Sequence, residues 1–264
     1  MKLSISNIGW AAEDDEIVFQ MMNDVGFMGL EIAPTRIFPD NPYDKCGEAK
    51  KWVSKLYQNK GFKISSMQSI WYGRKEMLFG SDEERQELVD YTKKAIDFAE
   101  VVGCGNLVFG CPRNRSIPEY ADEQVAEIFF KEIGDYAVEH GTVVAMEANP
   151  PIYNTNYIND TLSAIDLIKR VDSKGFLLNL DLGTMIENRE DVSIINGNEQ
   201  FINHVHISEP RLKLIEERKL HQDLSKLLIE FGYEKYISIE VGKQDNVQVL
   251  GETMNYVKSI FGEV

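Results

Sequence analysis

From one end to the other, the chain alternates a short β-rich apolar run with a longer segment whose apolar residues recur at helical spacing. The runs Leu3–Ile8, Gly29–Ala33, Phe62–Ile70, Asn106–Phe109, Val143–Glu147, Phe176–Asp181, Ile202–Ile207 and Tyr236–Val241 read as strands. Helices are expected over Asp14–Asp24, Lys45–Asn59, Asp82–Val102, Pro118–Glu139, Thr161–Val171, Lys219–Phe231 and Asn246–Ile260. A short helix is expected in the less regular stretch after Asp181. Ser81 is a candidate N-cap, with Glu84 three residues on to complete a capping box. A strand, a helix and a further strand in succession require parallel pairing through right-handed crossovers. Repeated eight times over 264 residues, this pattern predicts an α/β fold, a (β/α)8 TIM barrel occupying the whole chain as a single domain. An open doubly wound sheet is the competing topology, but no GxGxxG motif follows any of the strands.

Charge and cysteine usage narrow the function classes. A net charge of −15 at pH 7, with no basic run, argues against a nucleic-acid partner, since phosphate contacts draw on surplus Lys and Arg. No apolar run approaches the roughly 20 residues that span a bilayer. The segment Met1–Ser6 has no secretory h-region and reads as the first strand. Cys46, Cys104 and Cys111 form no CxxC pair and are expected as free thiols in the cytoplasm.

A barrel of this kind does its chemistry at the carboxyl ends of its strands. Period-two alternation therefore selects the residues that matter. In strand five Ala145 and Glu147 point inward; in strand six Asn179 lies below Asp181; in strand seven His204 lies below His206; in strand eight Ser238 lies below Glu240. Four successive strands thus end on a carboxylate or an imidazole. Such carboxylates must take up protons or gather a cation. A divalent ion on Glu147, Asp181, His206 and Glu240 meets that need, and the oxygen-rich donor set suits Mn²⁺ or Mg²⁺, with Co²⁺ or Zn²⁺ as alternatives. An ion-pair network with Arg36, Arg113, Arg115 or Arg211 is the other reading of the same residues.

These motifs carry a resemblance. Met146-Glu147-Ala148-Asn149, Leu180-Asp181-Leu182-Gly183-Thr184, His204-Val205-His206-Ile207-Ser208-Glu209 and Ser238-Ile239-Glu240 resemble the xylose-isomerase-like barrels, the sugar (phosphate) isomerase/epimerase family that includes D-tagatose and D-psicose 3-epimerases. The successive spacings of 34, 25 and 34 residues between Glu147, Asp181, His206 and Glu240 agree with it. The resemblance implies one divalent metal on those four residues, with Glu147 and Glu240 as acid and base. The substrate would be a small-molecule sugar or sugar phosphate, deprotonated beside a carbonyl with the metal stabilising the enediolate. Two positions depart from the pattern. Thr184 stands where the epimerases carry a substrate-touching histidine, and Arg211 lies five residues past His206 instead of six. The related three-zinc endonuclease-IV type requires more histidines than His140 and His221 supply.

Other strand-end residues are candidates for substrate contact: Trp10, Gln68, Trp71, Tyr72, Asn149, Tyr153, His204 and Arg211. Glu31 is expected either at the substrate or in a buried pair, and Arg113 and Arg115 either on an anionic group or in solvent. Alternatives to sugar isomerisation or epimerisation are a keto-inositol dehydratase or hydroxypyruvate isomerase on the same metal barrel, and a catalytically silent sugar-binding barrel. A homo-oligomer is compatible with all of them.

Overall fold

In the computed structural model, which describes residues 1–262, eight parallel strands close into a barrel in sequence order. They are β1 (Lys2–Ser6), β2 (Gly29–Ile32), β3 (Lys63–Met67), β4 (Leu107–Phe109), β5 (Val144–Glu147), β6 (Phe176–Asp181), β7 (Ile202–Ser208) and β8 (Tyr236–Glu240). The helices are α1 (Asp15–Val25), α2 (Pro34–Ile37), α3 (Cys46–Lys60), α4 (Asp82–Val102), α5 (Gln124–Glu139), α6 (Thr161–Val171), α7 (Leu182–Asn188), α8 (Lys219–Phe231) and α9 (Gln248–Phe261). The pairing of β1 with β8 through Leu3 and Ile237 completes the ring.

The expected helix boundaries hold to within about two residues except at α5, and Ser81 and Glu84 form the reciprocal cap at the start of α4. Expectation and structure differ where turn chemistry intervenes. The third strand stops at Met67, because Ser69 adopts φ +54° and turns the chain out of the sheet. Helix α5 begins at Gln124, six residues later than Pro118 suggests, leaving His140 just past its end.

Two different interiors result. Between sheet and helices lies an aromatic core in which Phe109 meets Trp71 and Phe130 edge-on and Phe129 at a tilt, and Phe130 stacks on Phe176. Inside the barrel the side chains are largely polar. Ser4 and Ser65 share a 2.5 Å hydrogen bond, and Gln68 donates to both Ser6 and Glu31. A buried polar group is tolerable only when satisfied, and this column is cross-linked between strands. No helix among the described residues is long and apolar enough to cross a membrane.

Register explains how the site residues meet. Glu147 pairs with Asn179, Asp181 with His206, and Ser208 with Glu240. Strands tilted by about 36° bring residues two apart in register to one height along the barrel axis. At the opposite end Gly29 is forced by close approach: a Cβ there would lie 2.7 Å from the Tyr236 ring and 2.8 Å from the Ser4 Cβ. Gly29→Ala is therefore expected to destabilise the fold by about 1–3 kcal/mol, read from the midpoint shift of a chemical unfolding curve.

Candidate metal centre

Four donor atoms converge at the carboxyl end of the barrel, one each from Glu147, Asp181, His206 and Glu240, all within 4.8 Å of one another. Bonds of about 2.0–2.3 Å to a single cation set its ligands about 3–4.5 Å apart, so the quartet fits one ion. His206 Nδ1 lies 3.0 Å from Glu147 Oε1 and 3.3 Å from Glu240 Oε2. Gly110 makes room for Glu147, since a Cβ there would lie 2.8 Å from Glu147 Oε2.

Three members of the quartet are held from behind. Asp181 Oδ2 accepts from the Thr184 amide at 2.7 Å and from Thr184 Oγ1, while Ser208 Oγ donates to Oδ1. Glu147 accepts from Asn179 Nδ2 at 2.8 Å and Asn149 Nδ2 at 3.0 Å. Behind Asn149, the fully buried Arg115 donates to its Oδ1 at 2.8 Å. His206 Nε2 donates to Glu31 Oε2 at 3.0 Å, and His204 Nε2 donates to that same oxygen at 3.0 Å. A carboxylate that fixes the far nitrogen of an imidazole leaves the near one aimed at a metal. Glu31, His204 and His206 also form a tight group of ligand-type residues. With both Nε2–H groups already donated to Glu31 and all three side chains buried, it is a hydrogen-bonded support rather than a second centre.

Electrostatics follow from burial. Desolvation and then Glu147 push the Asp181 carboxyl up to about 6. Desolvation also lifts Glu240 to about 7, although His206 pulls against it. Burial works against charge on His206, but Glu31 and Glu240 outweigh it and hold the imidazolium well above its usual range. His204 goes the other way, because burial lowers it more than Glu31 raises it. Glu31, despite its burial, is kept far below the usual carboxylate range by His206 and His204.

A cavity of about 190 Å³ opens above the quartet, lined by Gln68, Asn149, Tyr153, Glu209 and Leu212 among others. The remaining candidates lie elsewhere. Trp71 is in the core, its Nε1 donating to Thr92 Oγ1 at 2.8 Å, because the turn at Ser69 carries it outside the barrel. Trp10 is buried with its Nε1 on Asp15 and the Arg36 guanidinium 5.4 Å over its ring. His204 lies a layer beneath the mouth, and Tyr72 is 71% exposed. Arg211 is exposed in a turn at φ +63°, where only its amide reaches the site region, donating to the Tyr153 hydroxyl. Among the described residues no arginine forms an ion pair with the quartet; Arg36 pairs with Asp15 instead. Glu31 and Arg115 are the positions whose parts the sequence left open, and Asn179 supports the site in a way that its inward parity had signalled.

A model of the xylose isomerase-like TIM barrel family matches residues 19–260. The chain belongs to this family. A search of curated proteins finds no significant match. Among solved structures, the chain is similar to the 3-keto-D-glucoside 4-epimerase of E. coli, with a TM-score of 0.79 at 18% identity over 98% of this chain and 99% of that one. It is similar to the D-psicose 3-epimerase of Clostridium cellulolyticum H10, solved with D-tagatose, with a TM-score of 0.79 at 15% identity over 99% of both. The IOLI protein with a bound zinc atom gives a TM-score of 0.72 at 15% identity over 100% of both. At these identities the structural likeness speaks for the fold.

Two outcomes follow from the site. Glu31→Gln, which cannot accept from both histidines through a charged carboxylate, is expected to weaken Mn²⁺ binding about 10–100-fold in a calorimetric titration. Asp181 and Glu240 are stabilised as protonated groups at low pH, and that contribution is lost as pH rises through about 6 and 7. The rise in Tm on adding Mn²⁺ should therefore be larger at pH 8 than at pH 5.5, where protons compete with the cation.

Proposed function

We propose that this protein is a divalent-metal-dependent sugar isomerase or epimerase that moves a proton on a carbon next to a carbonyl. The observation that carries this reading is the quartet itself. Two glutamates from strands three places apart, Glu147 and Glu240, converge at one open cavity, with Asp181 and His206 completing a cation-sized set. The structural neighbours named for epimerases, one of them solved with D-tagatose, favour a sugar as the molecule that enters.

A cation bound by Glu147, Asp181, His206 and Glu240, with Mn²⁺ or Mg²⁺ best suited to the oxygen-rich set, would act as a Lewis acid for the negative charge that develops on the substrate oxygens. The chain's own groups account for the rest. Asn149 and Asn179 orient Glu147 as a base on one face of the sugar. Among the described residues Glu240 has His206 as its one polar side-chain partner, at 3.3 Å, so its carboxylate is left to take or return the proton on the other face. Proton removal on one face and return on the other inverts a carbon centre; transfer to the adjacent carbon isomerises the sugar. Gln68, Asn149 and the Tyr153 hydroxyl supply polar contacts for sugar hydroxyls along the cavity wall.

The cavity favours a neutral sugar over a phosphorylated one. Its lining carries Glu147, Asp181, Glu209 and Glu240, and no Lys or Arg among the described residues. A phosphate group needs cationic or backbone N–H donors, and Arg211 and Arg113 lie outside the lining.

The test is deuterium wash-in. The Mn²⁺-loaded protein in D₂O should incorporate deuterium beside the carbonyl of at least one ketose or keto-sugar, with the neutral sugar exchanging faster than its phosphate ester. Glu147→Gln and Glu240→Gln should each lower the exchange rate by about 10²–10⁴-fold. No exchange across a broad panel of ketoses would overturn the proposal.

A further inference from the structure

A second hollow, of about 870 Å³, lies at the opposite end of the barrel, where the strands begin. Its volume is within the range of sites for small organic ligands. It is independent of the metal centre described above, although its floor reaches His204, which shares Glu31 with His206.

The charge of this hollow is opposite to that of the molecule. The chain carries 43 Asp and Glu against 28 Lys and Arg, yet no carboxylate side chain lines this cavity among the described residues. Lys2, Lys63, Lys235 and Lys258 all do. Lys2 lies with its ammonium 5.6 Å above the Tyr236 ring, and Lys235 donates to the neutral Asn203 Oδ1 at 2.8 Å. Burial pulls the Lys235 ammonium below its usual range, so an added counter-charge there meets a partly desolvated cation.

Helix dipoles explain part of this arrangement. Helices α1, α3, α4 and α9 end here, at Gly26, Gly61, Gly103 and Gly262, and each C-terminus presents about half a negative charge. Four such ends amount to about two negative charges, which four ammonium groups exceed about twofold. The surplus among the described residues is what an anion would meet. Between the lysines the wall is apolar: Leu3, Met28 and Ile64 line it beside the Tyr57 ring, which is 55% exposed. An inorganic ion would leave that wall unused.

We propose that this cavity at the foot of the barrel binds a small organic polyanion, a phosphate ester whose charges rest on Lys63 and Lys235 and whose apolar or ring portion lies against Ile64 and Tyr57. A multiply charged phosphate suits lysines that are spread around a rim, because each ammonium acts as a separate point charge.

The test uses ADP and inorganic pyrophosphate as probes in calorimetric titrations of protein stripped of metal and dialysed. In that state the mouth of the barrel, lined by carboxylates, repels both probes. ADP should bind with an affinity that falls as salt is raised, and several-fold more tightly than pyrophosphate. The double variant Lys63→Glu, Lys235→Glu should lose at least about tenfold in ADP affinity, whereas Lys50→Glu, Lys226→Glu, on exposed helix positions outside the cavity, should bind as the unaltered protein does. ADP should also protect Lys63 and Lys235 from acetylation in the unaltered protein, a measurement that needs no variant. Absence of ADP binding, undiminished binding by the Lys63, Lys235 variant, or unchanged acetylation would overturn the proposal. Equal affinity for the two probes would overturn the assignment of an apolar portion.

Discussion

The arrangement at the mouth of the barrel is governed by the repulsion among buried carboxylates. Two unit charges about 4 Å apart repel by about 4 kcal/mol at the effective dielectric of a protein site. Glu147, Asp181 and Glu240 are brought closer than 5 Å to one another by three different strands, the first two with their own hydrogen-bonding support. One imidazolium, at His206, offsets one of these charges. The other two leave the groups a choice between protons and a cation, and the raised Asp181 and Glu240 carboxyls are the proton half of that choice. A divalent ion is the simplest partner of matching charge, which is why the donor set and the electrostatics of this site point the same way.

That repulsion is tolerable because the barrel interior beneath it is polar and fixed. Glu31 lies at the centre of this support. Its carboxylate accepts from His206 above, His204 below and Gln68 beside it, and Gln68 continues the chain of bonds to Ser6. A buried carboxylate is costly unless fully paired, and this one has partners from β7 and from the end of β3. The result is a His206 ring whose orientation is set by the far side of the barrel, not by the flexible loops above it. Arg115 plays the equivalent part for Glu147, acting through Asn149 from the loop after β4.

The fold was legible because its signal is local and repeated. Alternation of period two with period 3.6, eight times over, needs no knowledge of distant contacts. The inward parity of Glu147, Asp181, His206 and Glu240 was legible on the same ground, since each sits on a strand whose neighbours define its faces. What stayed illegible depends on one backbone angle or on a partner far along the chain. Trp71 follows Gln68 closely and shares its apparent strand end, but the positive φ at Ser69 sends the indole outward to Thr92 while Gln68 stays inside. Trp10 is held by Asp15 and Arg36, a triplet that no periodicity announces. Glu31 meets its histidines across 173 and 175 residues of sequence, so only closure of the barrel reveals the pair.

Thr184 departs from the pattern that the resemblance to the epimerases implies. Where the epimerases carry a histidine that touches the sugar, this chain has a hydroxyl committed inward, within hydrogen-bond reach of both Asp181 Oδ2 at 2.9 Å and the Ala148 carbonyl at 2.7 Å. On the proposed function the position braces Asp181 and ties the start of α7 to the end of β5 instead of reading the substrate. The recognition given up there must come from elsewhere on the rim. Arg211, one place out of the family register, cannot supply it, because its turn conformation directs the side chain to solvent and leaves only its amide to engage Tyr153. That amide nonetheless links the loop after β7 to the loop after β5, so Tyr153 is held over the cavity by backbone rather than by charge. On the function proposed above, substrate choice would rest on the β5 loop, through Asn149 and Tyr153, and a sugar would be selected there by hydroxyl geometry and not by a charged group.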